Sequence, residues 1–189
     1  MLISRFINEH IEDDVIAFEN KYKIVLPDTY RGFLLKYNGG DTPKSHFKMN
    51  QVSSDITGFF GFQSTNEYLD FQYLIKLEVL NSYLTDQMLP MATNDFGDMI
   101  TIGLAGNGKA QVYFLYHDRP KKYLWLAKDF KGFVGQCKSE KLGHIPTIEE
   151  RKRWLIDNGK GDKITDVTIK GWQAEIDEYG NMKQEGLVI

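Results

Sequence analysis

The sequence predicts an α+β fold, in which a mainly antiparallel β-sheet of meander connectivity packs with helices and a helical C-terminal extension follows. Three observations predict it. Apolar residues recur with helical spacing before residue 81, whereas residues 99–127 are rich in β-branched and aromatic residues. Helical spacing returns after residue 143. We therefore expect a main domain at residues 1–142 and an extension at residues 143–189 that packs on it.

The composition is typical of a globular protein with a substantial core. Hydrophobic residues make up 42% of the 189 residues, and aromatic residues make up 13%. The 23 basic and 26 acidic residues give a net charge of −3, so the basic surplus typical of nucleic-acid binders is missing. A single cysteine excludes a disulfide framework and favours a reducing compartment. Because no segment approaches about 18 uninterrupted apolar residues, we expect a cytoplasmic protein without a membrane partner.

Three helices are predicted in the first half of the chain. The first spans Glu9–Tyr22, where apolar residues recur on one helical face. The second lies in the stretch LPDTYRGFLLKYNGG and ends at Asn38–Gly40, residues that tolerate a positive φ angle. The third spans Asn66–Leu80, and Ser64 and Glu67 have the spacing of a capping box for it.

Five strands are predicted. Two short strands, Phe47–Val52 and Ile56–Phe62, lie between the second and third helices. Three further strands follow one another closely, at Met99–Leu104, Ala110–His117 and Tyr123–Ala127. Their connectors, AGNGK and DRPKK, have the composition of hairpin turns, which predicts that these strands are antiparallel neighbours.

Helix signals dominate the remainder of the chain. Asp129 is a suitable N-cap for a short helix at residues 130–137. Thr147 and Glu150 have capping-box spacing at the start of TIEERKRWLIDNG. In DVTIKGWQAEIDEYG, one helical face carries Ile169, Trp172, Ile176 and Tyr179. The extension is therefore predicted to contain two helices.

The stretch GLAGNGKA is one residue short of a nucleotide-binding P-loop. Gly103, Gly108 and Lys109 match the pattern, but Ala110 stands where a hydroxyl would hold magnesium. A P-loop leads from a strand into a helix whose N-terminus faces the phosphates, whereas the segment after Lys109 is strand-like. We therefore predict a hairpin turn, in which Asn107 and Gly108 supply positive φ angles.

Other catalytic and binding patterns are missing from the sequence. The letters DFG at Asp95–Gly97 stand without the Gly-rich loop, the V-A-I-K lysine and the H-R-D loop of a kinase. There is no G-x-S-x-G elbow, the four histidines lack ligand spacing, and Cys137 is expected to pack in a helix. The strand VYFLY is apolar on both faces, which indicates a covered strand rather than a platform for RNA bases. We predict no catalytic residue, metal site or cofactor.

A set of short motifs follows in a definite order along Glu9–Cys137. They are Phe18-Glu19, Leu26-Pro27, Tyr30, Phe33-Leu34, Asn38-Gly39-Gly40, Phe96-Gly97-Asp98, Val112-Tyr113-Phe114, His117-Asp118, Leu126-Ala127, Phe130 and Phe133. In this order they resemble the SUKH superfamily, in its Smi/Knr-like branch. The resemblance implies an α+β fold with a mainly antiparallel sheet. One departure is Asp129, where the family often has a small hydroxylated residue.

The resemblance also implies a non-enzymatic function. Bacterial members are similar to immunity proteins, which neutralise a toxin domain that is often a nuclease. Fungal relatives are regulatory interaction proteins in cell-wall signalling. We therefore expect an immunity protein that neutralises a cognate toxin domain by stoichiometric binding, and a regulatory interaction module without a toxin partner is the alternative. The expected partner is a protein and not a nucleic acid, and homodimer formation stays open.

Acidic residues at loop or strand-end positions are the candidate partner contacts. They are Asp41, Asp95, Asp98 and Asp118. If the toxin is a nuclease, its substrate surface is basic, and acidic side chains on loops would meet that surface and speed association. The alternative for each aspartate is a side chain that bonds a turn or is simply solvated.

Overall fold

The computed structural model describes residues 1–180 and 182–189. The chain divides into two compact units. The first comprises Met1–Glu140 together with Glu185–Ile189, and the second comprises Lys141–Gln184. The last five residues of the chain therefore belong to the first unit.

The first unit is built on an antiparallel sheet. The strands in the described residues are Leu2–Arg5 (β1), Gly40–Met49 (β2), Val52–Phe59 (β3), Met88–Thr93 (β4), Met99–Gly103 (β5), Val112–Leu115 (β6), Leu124–Ala127 (β7), Lys138–Ser139 (β8) and Glu185–Gly186 (β9). Their spatial order is β7-β6-β5-β4-β3-β2-β1-β9, and β8 pairs with β2. Because β2 to β7 are neighbours in chain order, this part of the sheet is the meander that the sequence predicts.

Helices occur in both units. The helices described in the first unit are Ile11–Tyr22 (α1), Asp28–Tyr37 (α2), Phe71–Lys76 (α3), Leu80–Thr85 (α4) and Phe130–Gln136 (α5). Those described in the second are Ile148–Asp157 (α6) and Asp166–Tyr179 (α7). Helices together with an antiparallel sheet confirm the predicted α+β class.

Aromatic side chains join α2 and α5 to the sheet. The ring of Phe33 on α2 lies 5.1 Å from that of Phe59 on β3 and 5.0 Å from that of Phe130 on α5. Tyr30 contacts Phe130 edge-on at 5.3 Å. All four side chains are buried. Since burial of one Phe side chain contributes roughly 1.5–3 kcal/mol, this cluster is a main source of the stability of the unit.

The sheet curls, so that β7 approaches the turn between β2 and β3. Asn50 in that turn donates from Nδ2 to the carbonyl oxygens of Trp125, at 3.0 Å, and Leu126, at 3.4 Å. Phe47 on β2 and Phe114 on β6 are in ring contact, with centroids 6.1 Å apart. These contacts join strands that are not hydrogen-bonded neighbours in the sheet.

The third predicted helix is wrong in its extent. Residues 66–80 form a 3₁₀ turn followed by α3, and α4 begins only at the end of that range. Glu78 has a φ angle of 59°, a left-handed conformation that interrupts a right-handed helix. The N-caps also differ from the prediction: Asn66 and Asp70 accept backbone N–H bonds at the two helix starts, rather than Ser64.

The GLAGNGKA segment connects β5 and β6 as a hairpin, as predicted. The positive φ angles lie at Gly106 (63°) and Ala110 (66°), however, so their assignment to Asn107 and Gly108 is wrong. A Cβ atom on Gly103 would lie 2.0 Å from the carbonyl oxygen of Gly108, which explains the glycine at that position. The segment leads from β5 through a 3₁₀ turn at Gly106–Gly108 to β6, so it lacks the α-helix whose N-terminus would face the phosphates of a nucleotide.

The second unit begins with the predicted capping box. The N–H of Glu150 donates to Oγ1 of Thr147 at 3.2 Å, and the N–H of Thr147 donates to Oε2 of Glu150 at 2.7 Å. An ion pair of 2.7 Å between Arg151 on α6 and Glu175 on α7 joins the two helices. The Arg151 guanidinium also lies 5.9 Å from the ring of Trp172.

Candidate functional site

A tight turn at Asn94–Asp98 joins β4 to β5. The side-chain oxygen of Asn94 accepts the backbone N–H bonds of Phe96, at 3.0 Å, and Asp98, at 2.8 Å. Its amide donates to Ser54 at 2.9 Å and to Asp98 Oδ2 at 3.0 Å. Gly97 has a φ angle of 83°, which glycine adopts without strain. The buried Asn94 side chain therefore holds the turn in one conformation.

Asp98 connects this turn to the end of β6. Its Oδ1 atom accepts the backbone N–H of His117 at 3.0 Å and lies 2.8 Å from the ring Nδ1 of the same residue. Burial raises the pKa of the Asp98 carboxyl, whereas the hydrogen bonds from His117 and Asn94 lower it. The lowering is the larger effect, so the pKa of Asp98 lies below its ordinary value. The Asp98 side chain is only 8% exposed. Because its pKa is lowered, the carboxylate is ionised at neutral pH and accepts these hydrogen bonds.

Asp118 lies beside the Asp98–His117 pair. One ligand-type atom from each of the three residues falls within 4.8 Å of the others. Carboxylates and imidazoles are common ligands of divalent cations. Both oxygens of Asp98 already accept hydrogen bonds, and 2.8 Å is an ordinary hydrogen-bond length between Oδ1 and Nδ1. These hydrogen bonds account for the close approach of Asp98 and His117.

Asp95 on the turn and Asp55 on β3 form an acidic pair. Asp95 Oδ1 accepts the hydroxyl of Thr57 at 2.7 Å, and the Asp95 N–H donates to Asp55 Oδ2 at 3.2 Å. Neither carboxylate makes an ion pair with any residue that the structure describes. The negative charge of this pair is therefore open to a partner.

A groove of about 440 Å³ borders the turn. It is lined by Thr57, Phe60, Asn66, Tyr68, Leu69, Tyr73, Leu74, Thr93, Asn94, Asp95, Gly97 and Met99. Asp95 is the one charged residue among these, and most of the others are apolar or aromatic. We call this feature the Asp95 groove.

Two exposed aromatic side chains lie on or next to the Asp95 groove. Phe96 at the tip of the turn is 73% exposed, and Tyr68 on the groove wall is 61% exposed. The Tyr68 ring meets that of Tyr73 edge-on, with centroids 5.4 Å apart. A large aromatic side chain held out on a rigid turn is typical of a protein interface, where Phe, Tyr and Trp are enriched.

The four aspartates predicted as partner contacts occupy different positions. Asp95 and Asp98 share the Asn94–Asp98 turn, and Asp118 lies beside Asp98. Asp41 is on β2 and accepts a bond of 2.8 Å from Asn66, a residue that lines the Asp95 groove. Asp95 and Asp118 are exposed, whereas Asp98 is buried and bonds its own turn. Asp98 is thus a positioning residue, which the sequence analysis had included as an alternative.

Sequence reasoning missed Asp55, Phe96, Tyr68 and Tyr73 as candidate contacts. Phe96 alone carried a local signal, because an aromatic residue between Asp and Gly in a turn has no room to reach a core. Asp55 lies on β3, whereas Tyr68 and Tyr73 lie in the helical segment that follows it, so their proximity to Asp95 is not visible in the sequence.

A comparison with protein families gives a match to the SMI1 / KNR4 family (SUKH-1) over residues 12–136. This range is more than half of the chain. The chain belongs to the SMI1 / KNR4 family (SUKH-1). Among curated proteins none matches the chain.

The SUKH-1 match contains every residue that lines the Asp95 groove, and it ends before the second unit begins. The groove is therefore part of the family domain, whereas α6 and α7 lie outside the match. None of the helices that the structure describes is both long and apolar enough to span a bilayer.

Proposed function

We propose that this SUKH-1 protein is a non-catalytic immunity protein, which neutralises a cognate bacterial toxin domain by stoichiometric binding. The observation that carries the proposal is the surface formed by Phe96 and the Asp55–Asp95 pair. Phe96 is 73% exposed on a turn held by buried hydrogen bonds, and the two carboxylates beside it make no ion pair with described residues. Together these features provide an apolar anchor and an unneutralised charge.

The rigidity of the turn favours a binding role. Asn94 and Asp98 hold the backbone around Phe96 before any partner arrives. A preorganised contact loses little conformational entropy on association, so more of the interaction energy appears as affinity. An exposed Phe on such a turn can fill a pocket of the partner and act as a hot spot.

The charge of the surface favours a basic partner. Asp55 and Asp95 lie on or beside the turn that precedes β5, and the whole chain has a net charge of −3. Complementary charge speeds association and fixes orientation more than it adds affinity. A nuclease toxin presents a basic substrate surface, so an acidic inhibitor that covers it would block access of the nucleic acid.

Growth rescue tests the proposal. A candidate toxin domain is expressed in cells that also carry the wild-type protein, Phe96→Ala or Asp95→Asn. We expect the wild type to restore growth and both variants to reduce the rescue, because each removes part of the surface. Val25→Ala and Asp13→Asn are matched controls, since they remove an exposed apolar and an exposed acidic side chain that do not line the groove.

The outcomes separate the alternatives. If the wild-type protein is present in excess and neither rescue nor a complex is found, the immunity function is wrong. If a complex with another protein forms but growth is not restored by any variant, the regulatory interaction module is the better interpretation. Equal loss of rescue in the Val25→Ala control would contradict the assignment of the surface.

A further inference from the structure

The Asp95 groove has the chemistry of a site for a cation. We propose that it binds the guanidinium side chain of an arginine on the surface of the partner. This inference rests on the proposed function, because the bound toxin domain supplies the arginine. It adds a ligand class and a location, neither of which follows from membership of the SUKH-1 family.

Charge is the first argument. Asp95 is the one charged residue among those that line the groove, so no cation from the part of the chain that the structure describes occupies it. Its Oδ1 atom accepts the Thr57 hydroxyl at 2.7 Å, whereas its Oδ2 atom accepts no hydrogen bond from the residues that the structure describes. The Asp55 carboxylate adds a second negative charge next to it. A positively charged donor would form charge-assisted hydrogen bonds with these carboxylate oxygens, and such bonds are stronger than neutral ones.

The shape of the lining is the second argument. Phe60 and Leu74 are each 1% exposed and provide an apolar floor, against which the methylene groups of a long side chain can pack. Tyr68 and Tyr73 offer aromatic rings on the wall. A cation that lies over a tyrosine ring is attracted by the negative face of the ring. The groove thus offers an apolar floor for the methylene groups of a long cationic side chain, and aromatic rings and a carboxylate for its charge.

Arginine fits these groups better than lysine. A planar guanidinium can stack on a tyrosine ring and still donate in its own plane to a carboxylate, whereas an ammonium is a point charge. The protein already contains this arrangement, because the guanidinium carbon of Arg119 lies 3.8 Å from the centroid of the Tyr116 ring. The volume of about 440 Å³ leaves room for the arginine together with part of its flanking chain.

A titration followed by ¹H–¹⁵N correlation spectra tests the inference. The probe is the peptide acetyl-Gly-Arg-Gly-amide, and the comparison peptide has citrulline, which is neutral and of the same shape, in place of arginine. We expect saturable shifts at the amides of Thr57, Tyr68 and Asp95 with the arginine peptide. The citrulline peptide should give no saturation over the same range, and a lysine peptide should bind more weakly than the arginine peptide.

Substitutions locate the site. Asp95→Asn should weaken the arginine peptide about tenfold, which corresponds to about 1.4 kcal/mol for the lost charged acceptor. Val25→Ala and Asp13→Asn should leave peptide binding unchanged, because neither residue lines the groove. Equal binding of the arginine and citrulline peptides, equal binding of the lysine peptide, or unchanged binding by Asp95→Asn would each overturn the inference.

The failure of this inference can be distinguished from that of the proposed function. If the toxin domain binds and Phe96→Ala weakens the complex, but the arginine peptide gives no saturable shifts, the arginine site is wrong and the immunity function stands. If the peptide binds at Asp95 but no toxin complex forms, the site for arginine stands and the proposed function is wrong.

Discussion

The Oδ1 atom of Asp98 lies 2.8 Å from Nδ1 of His117 and 3.0 Å from its backbone nitrogen. The two residues join the start of β5 to the end of β6. Asp98 also accepts a hydrogen bond from the side-chain amide of Asn94. These bonds hold the turn on which Phe96 is exposed. The presentation of the proposed interface therefore depends on a buried, ionised carboxylate.

Asp98→Asn should destabilise the protein at neutral pH. The asparagine places an NH₂ group or a neutral oxygen where a carboxylate now accepts three hydrogen bonds. Loss of charged acceptors at a buried site costs about 1–3 kcal/mol. Urea unfolding at pH 7 measures this loss as a lower free energy of unfolding. Asp13→Asn, at an exposed position on α1, is the control and should change it little.

The same pair makes stability depend on pH. The pKa of Asp98 in the folded protein lies below its ordinary value. Its contribution to the free energy of unfolding is therefore complete above the pKa of the unfolded state, about 3.9, and is lost as the pH falls towards the pKa of the folded state. We expect the difference in free energy of unfolding between wild type and Asp98→Asn to shrink below about pH 4. A difference that stays constant from neutral pH down to pH 3 would show that the carboxylate is not the cause.

Gly103→Ala should destabilise the β5–β6 hairpin. The added Cβ atom would meet the backbone carbonyl oxygen of Gly108 at 2.0 Å, so the turn would have to move. Gly135→Ala on α5 is a matched control, because a Cβ atom there meets nothing within 4 Å, and alanine favours a helix by up to about 1 kcal/mol. Thermal unfolding should show a lower midpoint for Gly103→Ala and an equal or higher midpoint for Gly135→Ala. The reverse order would contradict the hairpin geometry.

The thiol of Cys137 should be unreactive in the folded protein. Burial raises its pKa to about 12, so the thiolate that reacts with disulfide reagents is scarce near neutral pH. We expect one equivalent of thiol to react with an aromatic disulfide reagent in urea, and almost none to react in buffer at pH 8. Rapid reaction in buffer would mean that the end of α5 opens readily.

Helix positions could be read from the sequence where the signals are local. The Asn38–Gly40 stop, the Asp129 cap and the Thr147 capping box are each contained in a few residues, and the structure has all three. The helix predicted at residues 66–80 had the right apolar spacing, but the left-handed Glu78 that divides it has no such signature.

Four of the described strands, β1, β4, β8 and β9, and the surface were not predicted. β4 is buried at four consecutive positions, so it lacks the alternation that marks a half-buried strand, and Pro90 within it argues against a central strand. β1 has four residues and pairs with strands far away in the chain. The Asp95 groove likewise combines separate segments, because Tyr68 and Tyr73 lie between β3 and β4, whereas Asp95 lies on the turn after β4.

A calorimetric titration of the purified toxin domain with the wild-type protein and with Phe96→Ala measures whether Phe96 anchors a complex with a toxin. We expect the wild type to form a one-to-one complex. Phe96→Ala should weaken it by about 30-fold or more, the effect of a hot spot of about 2 kcal/mol or above. Val25→Ala should bind as the wild type does. A wild-type protein that forms no complex, or a Phe96→Ala variant with unchanged affinity, would contradict the claim.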